Sequence, residues 1–221
     1  MTSSASDSLE KRLLKNPEVR RLPAAVALIA VGVAYLFLPQ RLRVGPPWLV
    51  LALVLLLLFA LIASHRIGYH GIAYRLGRIV TGLVTLAVGS SALFLVTRLP
   101  GGKLPGGELL QEAGLVWLAN ILVFALWYWE IDGGGPAVRI RSHYRSGDFV
   151  FPQFQQDPNG PAEPWMPDFF DYLFLAFNTS TAFSPTDTLV LSRRAKLLLM
   201  AQSLISLIVI AVLAARAINT L

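Results

Sequence analysis

Apolar residues run along this chain in long blocks broken by short polar stretches. The blocks cover residues 22–39, 48–64, 79–97, 109–129 and 197–221. A run of about 20 apolar residues at 1.5 Å rise each covers a hydrocarbon core of about 30 Å. Each block therefore predicts a membrane-crossing helix. Between the first two lies Gly45-Pro46-Pro47, which predicts a tight turn and a helical hairpin. Residues 65–78 form a polar, basic connector. In the third block Gly82, Gly89, Ser90 and Ser91 predict a face that a neighbouring helix approaches closely. Residues 99–107 are rich in Gly and Pro and break the pattern again. The fourth block carries Asn120 at its middle and ends on Trp127-Tyr128-Trp129, an aromatic group expected at the membrane interface.

Residues 131–167 are the longest non-apolar stretch, with Gly133-Gly134-Gly135-Pro136 and five later prolines. Proline removes an amide donor and breaks helices, so an extended surface loop is expected. Residues 168–181 then predict a short helix. Asp168 suits its N-cap, and Asp171 places a carboxylate in the first turn. At about 20 Å this helix is too short to cross. The polar stretch 182–188 follows, with Pro185 barring a helix, then Arg193, Arg194 and Lys196, then the last block. The expected arrangement is a half-helix that enters the membrane, a loop at membrane depth, and a final crossing helix.

Composition agrees with this class. Of 221 residues, 55% are hydrophobic and 14% charged, and mean hydropathy is +0.59. Soluble domains carry about a quarter charged residues. The expected fold is all-α: a polytopic membrane protein with about five transmembrane helices plus one re-entrant half-helix and loop. It divides into a basic tail (1–21), a four-helix scaffold (22–130), a Pro/Gly-rich loop (131–167) and a re-entrant unit (168–221). Basic residues before the first block could mark a cleaved leader. No small-residue cleavage pattern follows them, which favours a retained anchor.

The formal charge of +6 points to loops facing anionic lipid rather than to nucleic acid. In the re-entrant arrangement fourteen of the nineteen Lys and Arg fall on one side and five on the other. If residues 168–181 crossed fully, the split would weaken to eleven against eight. The positive-inside rule then places the N-terminus and the 192–196 stretch in the cytoplasm. The expected location is a bacterial inner membrane, multi-pass.

Zero cysteines exclude disulfides, thiolate metal sites and cysteine nucleophiles. His65 and His70 have poor metal spacing, and His143 stands among arginines. No hydrolase, zinc-protease or phosphate-loop motif is present. An enzyme is not expected, and neither is a cofactor beyond a monovalent cation. Glu112 near a helix start is expected at the interface, and Glu130 and Asp132 in solvent.

Chemistry concentrates at the polar break. A non-helical loop at membrane depth is tolerated where protein or water satisfies its backbone. The C-terminal end of the half-helix brings partial negative charge to that depth. Thr179, Thr181, Ser184, Thr186 and Asp187 add oxygens, a set suited to a cation or a proton. The alternative is a polar turn at the interface with Asp187 capping the next helix. Asn120, Gln202 and Ser206 are candidates to line a cavity, or to tie helices together through hydrogen bonds. Gln202 and Ser206 share a helix face at i, i+4.

The stretch from Phe177 through Asn-Thr-Ser-Thr-Ala-Phe-Ser-Pro-Thr-Asp to Thr188, followed by Arg194-Ala-Lys196 and the last helix, resembles the pore region of tetrameric potassium-channel-type pore-loop proteins. That family joins a pore helix to a Thr-x-Thr-Thr-Val-Gly-Tyr-Gly-Asp filter and an inner helix. Thr179 and Thr181 fall on the first two threonines and Asp187 on the closing aspartate. Ala182, Phe183, Ser184, Pro185 and Thr186 replace threonine, valine, glycine, tyrosine and glycine. The resemblance covers about the last half of the chain, with residues 109–129 as the outer helix. It implies a homo-oligomer, a tetramer if channel-like, and a loop entering from outside, opposite to the orientation that charge implies. Both filter glycines are replaced, and Ser and Thr adopt their backbone angles poorly. The resemblance therefore implies a pore without potassium selectivity. The whole chain is also similar to small uncharacterised bacterial integral membrane proteins. The other expectations are a non-transporting membrane scaffold or lipid-interacting protein and, last, a proton-coupled transporter, which would want internal repeats.

Overall fold

The computed structural model describes residues 22–66, 70–98, 106–136, 138–139, 147–155, 165–181 and 187–219. The chain is mostly helical. In order it forms α1 (Leu22–Phe37), a 3₁₀ turn (Gln40–Leu42), α2 (Trp48–Arg66), α3 (His70–Arg98), α4 (Gly106–Ile131), a second 3₁₀ turn (Asp132–Gly134), β1 (Phe149–Val150), α5 (Pro152–Gln155), α6 (Phe169–Thr181), β2 (Leu189–Val190) and α7 (Arg193–Asn219). Among the described residues three stretches are long and apolar enough to cross a membrane: Arg75–Thr97 in α3, Gly107–Gly134 and Arg193–Ala215. Two further apolar helices, Leu22–Phe37 and Trp48–Ala60, are shorter.

α4 is the centre of the bundle and packs against α1, α3, α6 and α7, while α2 packs on α1 and α3. Burial follows this order. Most of the Gly107–Gly134 stretch is covered within the chain, and little of Arg193–Ala215 is. The larger core cluster includes Val31, Val54, Val84, Phe124 and Leu175. A second cluster joins Leu42, Leu95, Leu109, Val116 and Val209 at the Gly106 end of α4.

The α1–α2 hairpin forms as the Gly45-Pro46-Pro47 turn predicts. Gly45 has φ +79°, which glycine adopts without steric cost. Tyr35 closes the turn: its hydroxyl accepts from the Val44 amide at 2.8 Å and donates to the Val44 carbonyl at 3.3 Å. The close approach of backbones lies in this hairpin. A Cβ on Gly32 would sit 2.9 Å from Leu51 Cδ1 and 3.2 Å from Leu51 Cα. On the α3 face expected to do this, a Cβ at Gly82 or Gly89 would meet nothing within 4 Å among the described residues. Ser91 is buried and returns its hydroxyl to the Ala87 carbonyl.

Other expectations are corrected by tertiary packing. α3 starts at His70, so most of the basic connector is helix. Tyr128 and Trp129 point into the bundle rather than to an interface, and Trp127 donates its indole N–H to Thr85 Oγ1 at 2.7 Å. The 131–167 stretch is not a surface loop throughout, since Asp132, Arg139, Asp148, Phe149 and Phe151 are buried. Glu130 and Asp132 are buried rather than solvated. His143 lies outside the described residues.

Candidate functional site: the half-length helix α6 and its polar contacts

α6 begins as its sequence directs. Asp168 Oδ1 accepts from the amides of Phe170 at 2.7 Å and Asp171 at 3.3 Å, and Asp171 Oδ2 accepts from the Asp168 amide at 2.7 Å. This reciprocal cap satisfies amides that a helix start otherwise leaves open. The helix has 13 residues.

Its direction is fixed by aromatic contacts with α4. Phe169 meets Trp129 at 6.4 Å between ring centroids, and Phe177 meets Trp117 at 6.0 Å. α6 therefore runs antiparallel to α4 and starts at its Ile131 end. α7 starts at the same end. Arg194 donates to the Ile131 carbonyl at 3.1 Å and grips Asp148, while Leu189 and Val190 pair with Val150 and Phe149. α6 and α7 are thus parallel. The last turn of α6 is bonded to Ser203 and Ser206, half-way along α7. The chain goes in along α6, stops at the middle of the bundle, and is back at the Ile131 end by Leu189.

Five buried polar side chains meet where α6 stops. Gln202 Nε2 donates to the Ala176 carbonyl at 2.7 Å and to Ser180 Oγ at 2.8 Å, and Gln202 Oε1 accepts from the Tyr128 hydroxyl at 2.5 Å. Ser206 Oγ donates to Ser180 Oγ at 3.0 Å. Asn120 Nδ2 donates to Ser206 Oγ at 2.9 Å and more weakly to the Gln202 carbonyl at 3.4 Å. Each of the five is at most 1% exposed. Among the described residues Asn120 Oδ1 is buried without a partner. The three residues singled out from sequence, Asn120, Gln202 and Ser206, are brought together between α4, α6 and α7. Their polar groups face into the single chain. Tyr128 and Ser180 belong to the same group and were missed. Tyr128 lies two helical steps of i+4 from Asn120, a spacing that puts both on one face.

The filter-like residues divide. Thr179 and Thr181 are half-buried, and their hydroxyls return to the helix backbone at Leu175 (2.8 Å) and Asn178 (3.1 Å). Asp187 is exposed. Ala182, Phe183, Ser184, Pro185 and Thr186 lie outside the described residues. α7 is capped by Ser192, whose hydroxyl accepts from the Ala195 amide at 3.2 Å, so the alternative that assigned this role to Asp187 is corrected. α7 also starts at Arg193 rather than Leu197, which puts three cations in its first turn.

A second polar cluster holds the mouth of the unit. Gly133, Gly134 and Gly135 have φ of +55°, +84° and +99° and turn the chain back under α4. That turn buries Arg139, which donates to the carbonyls of Trp129 and Asp132, each at 2.7 Å. The guanidinium lies over the rings of Tyr172 at 5.2 Å and Trp129 at 5.9 Å. Asp132 Oδ2 accepts from the Tyr172 hydroxyl at 2.6 Å, and Oδ1 from the amides of Asp148 at 2.6 Å and Phe149 at 3.2 Å. Burial pushes the Asp148 carboxyl up. Hydrogen bonds from Arg194 and Ser192, the Arg194 charge and the Gly133 amide outweigh that and hold it below the usual carboxylate range. Burial pushes Asp171 up to about 6, with the Asp168 amide opposing and the Asp168 charge adding.

At the opposite end Glu112 is buried and ion-paired with Arg41. By element, Arg66, Arg75, Arg78, Arg139, Arg193, Arg194 and Lys196 belong to the Ile131 end, and Arg41, Arg43, Arg98 and Arg216 to the Gly106 end. Among the described residues no group of His, Cys, Asp and Glu is arranged to hold a metal ion.

Comparison with protein-family models, curated proteins and solved structures finds no match to this chain.

Proposed function

We propose that this protein is a pore-loop, cation-channel-like integral membrane protein that assembles as a homo-oligomer, a tetramer in the simplest case, and discriminates little between potassium and other monovalent cations. One observation carries the reading: α6 and α7 start at the same end of α4, and α6 stops half-way. A helix that crossed would leave α7 starting at the other end. A helix lying on the surface would not bond to the middle of α7. The arrangement delivers the C-terminal end of α6, with its partial negative charge, to the middle of the bundle. Thr179, Thr181 and Asp187 flank the polar stretch 182–186. One such stretch per chain encloses a conduit only when several chains surround an axis.

In this reading α1, α2, α3, α4 and α7 all cross, and α6 is the re-entrant segment. The Ile131 end, with most of the described cations, faces the cytoplasm of a bacterial cell by the positive-inside rule. Native mass in detergent tests the assembly, and a strict monomer rules out a shared pore. Flux from liposomes loaded with a monovalent cation tests transport, and Asp187→Ala should change its rate or selectivity. No flux above empty liposomes would overturn the reading.

A second reading has its own support. Gln202, Ser206 and Asn120 are closed off inside one chain, as side chains that only tie helices together would be. A non-transporting membrane scaffold would show this, with its basic end against anionic lipid.

A further inference from the structure

We infer that Gln202 is the positioning residue that fixes where α6 ends, so that the last turn of α6 follows α7 rather than α4. This rests on the reading of α6 as a re-entrant segment and adds how that segment is controlled. The contacts between α6 and α4 are of two kinds. Near its start, Tyr172 is bonded to Asp132, just beyond α4. Along its length, the described contacts with α4 include apolar and aromatic ones, such as Phe177 on Trp117, and one polar one, Thr179 with the Tyr128 hydroxyl. Apolar packing has no direction and tolerates small sliding or rotation.

The bonds that hold the end of α6 come from α7. Gln202 uses both amide protons on α6, one on the Ala176 carbonyl and one on Ser180 Oγ. Ser206 adds a bond to Ser180, and Ser203 a long one of 3.4 Å to the Thr179 carbonyl. These bonds are directional, and Gln202 is fully buried, so no water stands ready to replace them. Two described α4 side chains reach Gln202, Asn120 at its backbone carbonyl and Tyr128 at its side-chain oxygen, and neither touches the amide nitrogen that serves α6. Removing Tyr128's hydroxyl leaves both α7–α6 bonds in place. Removing Gln202's amide leaves α6 held at its start, with its end tied to α7 by Ser206 and the long Ser203 bond alone. A tilt or rotation of α7, which is mostly uncovered within the chain, would then carry Ser180 and Thr181 with it through Gln202.

The absence of native cysteines makes a direct test clean. Thr179→Cys and Ser203→Cys are introduced together in the full-length protein in detergent and treated with a short thiol-to-thiol cross-linker. The pair is combined in turn with Gln202→Met and with Tyr128→Phe. The expected result is a cross-linking rate about fivefold lower with Gln202→Met, the size expected from losing one to two intramembrane hydrogen bonds, and unchanged with Tyr128→Phe. An unchanged rate with Gln202→Met, or an equal fall with Tyr128→Phe, overturns the inference and leaves Gln202 as general packing. Where Gln202→Met does not yield folded protein, Ser180→Ala decides instead: a fall in rate supports the inference and no fall overturns it. No ion is involved. A loss of liposome flux alone removes the proposed function and not this coupling, and an unchanged cross-link alone does the reverse.

Discussion

Asp148 and Arg194 meet in a two-pronged pair, with Nε 2.7 Å from Oδ1 and Nη2 2.6 Å from Oδ2. They are 46 residues apart in sequence. The pair locks the start of α7 to the segment that follows α4. Asp148 is 3% exposed, but the Arg194 side chain is 54% exposed. A fully buried broken pair costs about 3–5 kcal/mol and an exposed one at most about 1. Arg194→Met should therefore cost about 1–2 kcal/mol in reversible unfolding from mixed micelles. A loss below about 0.3 kcal/mol would show that the β1–β2 pairing holds the segment without it.

Two carboxylates outside the long apolar helices, Asp148 and Asp171, have pKa values shifted in opposite directions and act oppositely on stability. Asp148 is held below its unfolded value of about 3.9, so its contribution is present above that pH and is lost as pH falls through the folded value. Asp171 is raised to about 6, so the folded state binds its proton more tightly than the unfolded state does. Stability should fall as pH rises from about 4 to about 6 and then level off. Asp171→Asn should flatten that slope while Asp148→Asn leaves it. Thermal midpoints at pH 4.5 and 7 decide this, and an unchanged slope in Asp171→Asn would count against the assignment.

The glycines make a contrast that sequence spacing inverts. Gly32→Ala places a methyl within 2.9 Å of Leu51 Cδ1 and 3.2 Å of its Cα, where backbone must give. Overpacking of this kind costs about 1–3 kcal/mol. Gly82→Ala and Gly89→Ala meet nothing within 4 Å and gain helix propensity of up to about 1 kcal/mol. Unfolding of the three variants should rank Gly32→Ala well below the parent and the other two at or above it. A destabilised Gly82→Ala would mean that this face is covered by another chain.

These cases mark what the sequence made legible. Apolar run length located the three long apolar helices and the two shorter ones among the described residues, because long unbroken apolar runs leave few alternatives to helix. Caps at Asp168 and the turn at Gly45 were legible because their chemistry is local. The half-length of α6 was legible from its 13 helical residues followed by Pro185. Burial of Asp132, Arg139 and Asp148 was not, since each is paid for by partners that no spacing rule connects. Tyr128 and Trp129 looked like interface aromatics because composition does not tell a membrane surface from a helix contact. The meeting of Asn120, Gln202 and Ser206 with Ser180 needed the direction of α6, which depends on tertiary contacts with α4.

Asn120 offers a separate test of the polar group. Its Nδ2 serves Ser206 and the Gln202 carbonyl, while its Oδ1 has no partner among the described residues. Replacing it by Leu removes a bond and an unmet acceptor together. Intramembrane hydrogen bonds average about 0.6 kcal/mol, with a maximum near 1.7. Asn120→Leu should lie within about 1 kcal/mol of the parent, whereas Gln202→Leu, which removes a bond from each of Tyr128, Ala176 and Ser180, should cost more. Asn120→Leu being the worse of the two would place the anchor on α4 instead.

The placement of α6 and α7 sets one topological expectation. Asp168 caps α6 and Arg193 opens α7, both at the Ile131 end, while Val44 lies at the Gly106 end beside Tyr35. All three are exposed. Cysteines placed singly at 168, 193 and 44 should therefore divide two to one when sealed vesicles of known orientation meet a membrane-impermeant thiol reagent. Residues 168 and 193 should react from one side and 44 from the other. The positive-inside rule makes the shared side the cytoplasmic one. The pore-loop resemblance makes it the outer one, so the same labelling chooses between them. Reaction of 168 and 193 from opposite sides would mean that α6 crosses the membrane, and a conduit built on its half-way stop would not exist.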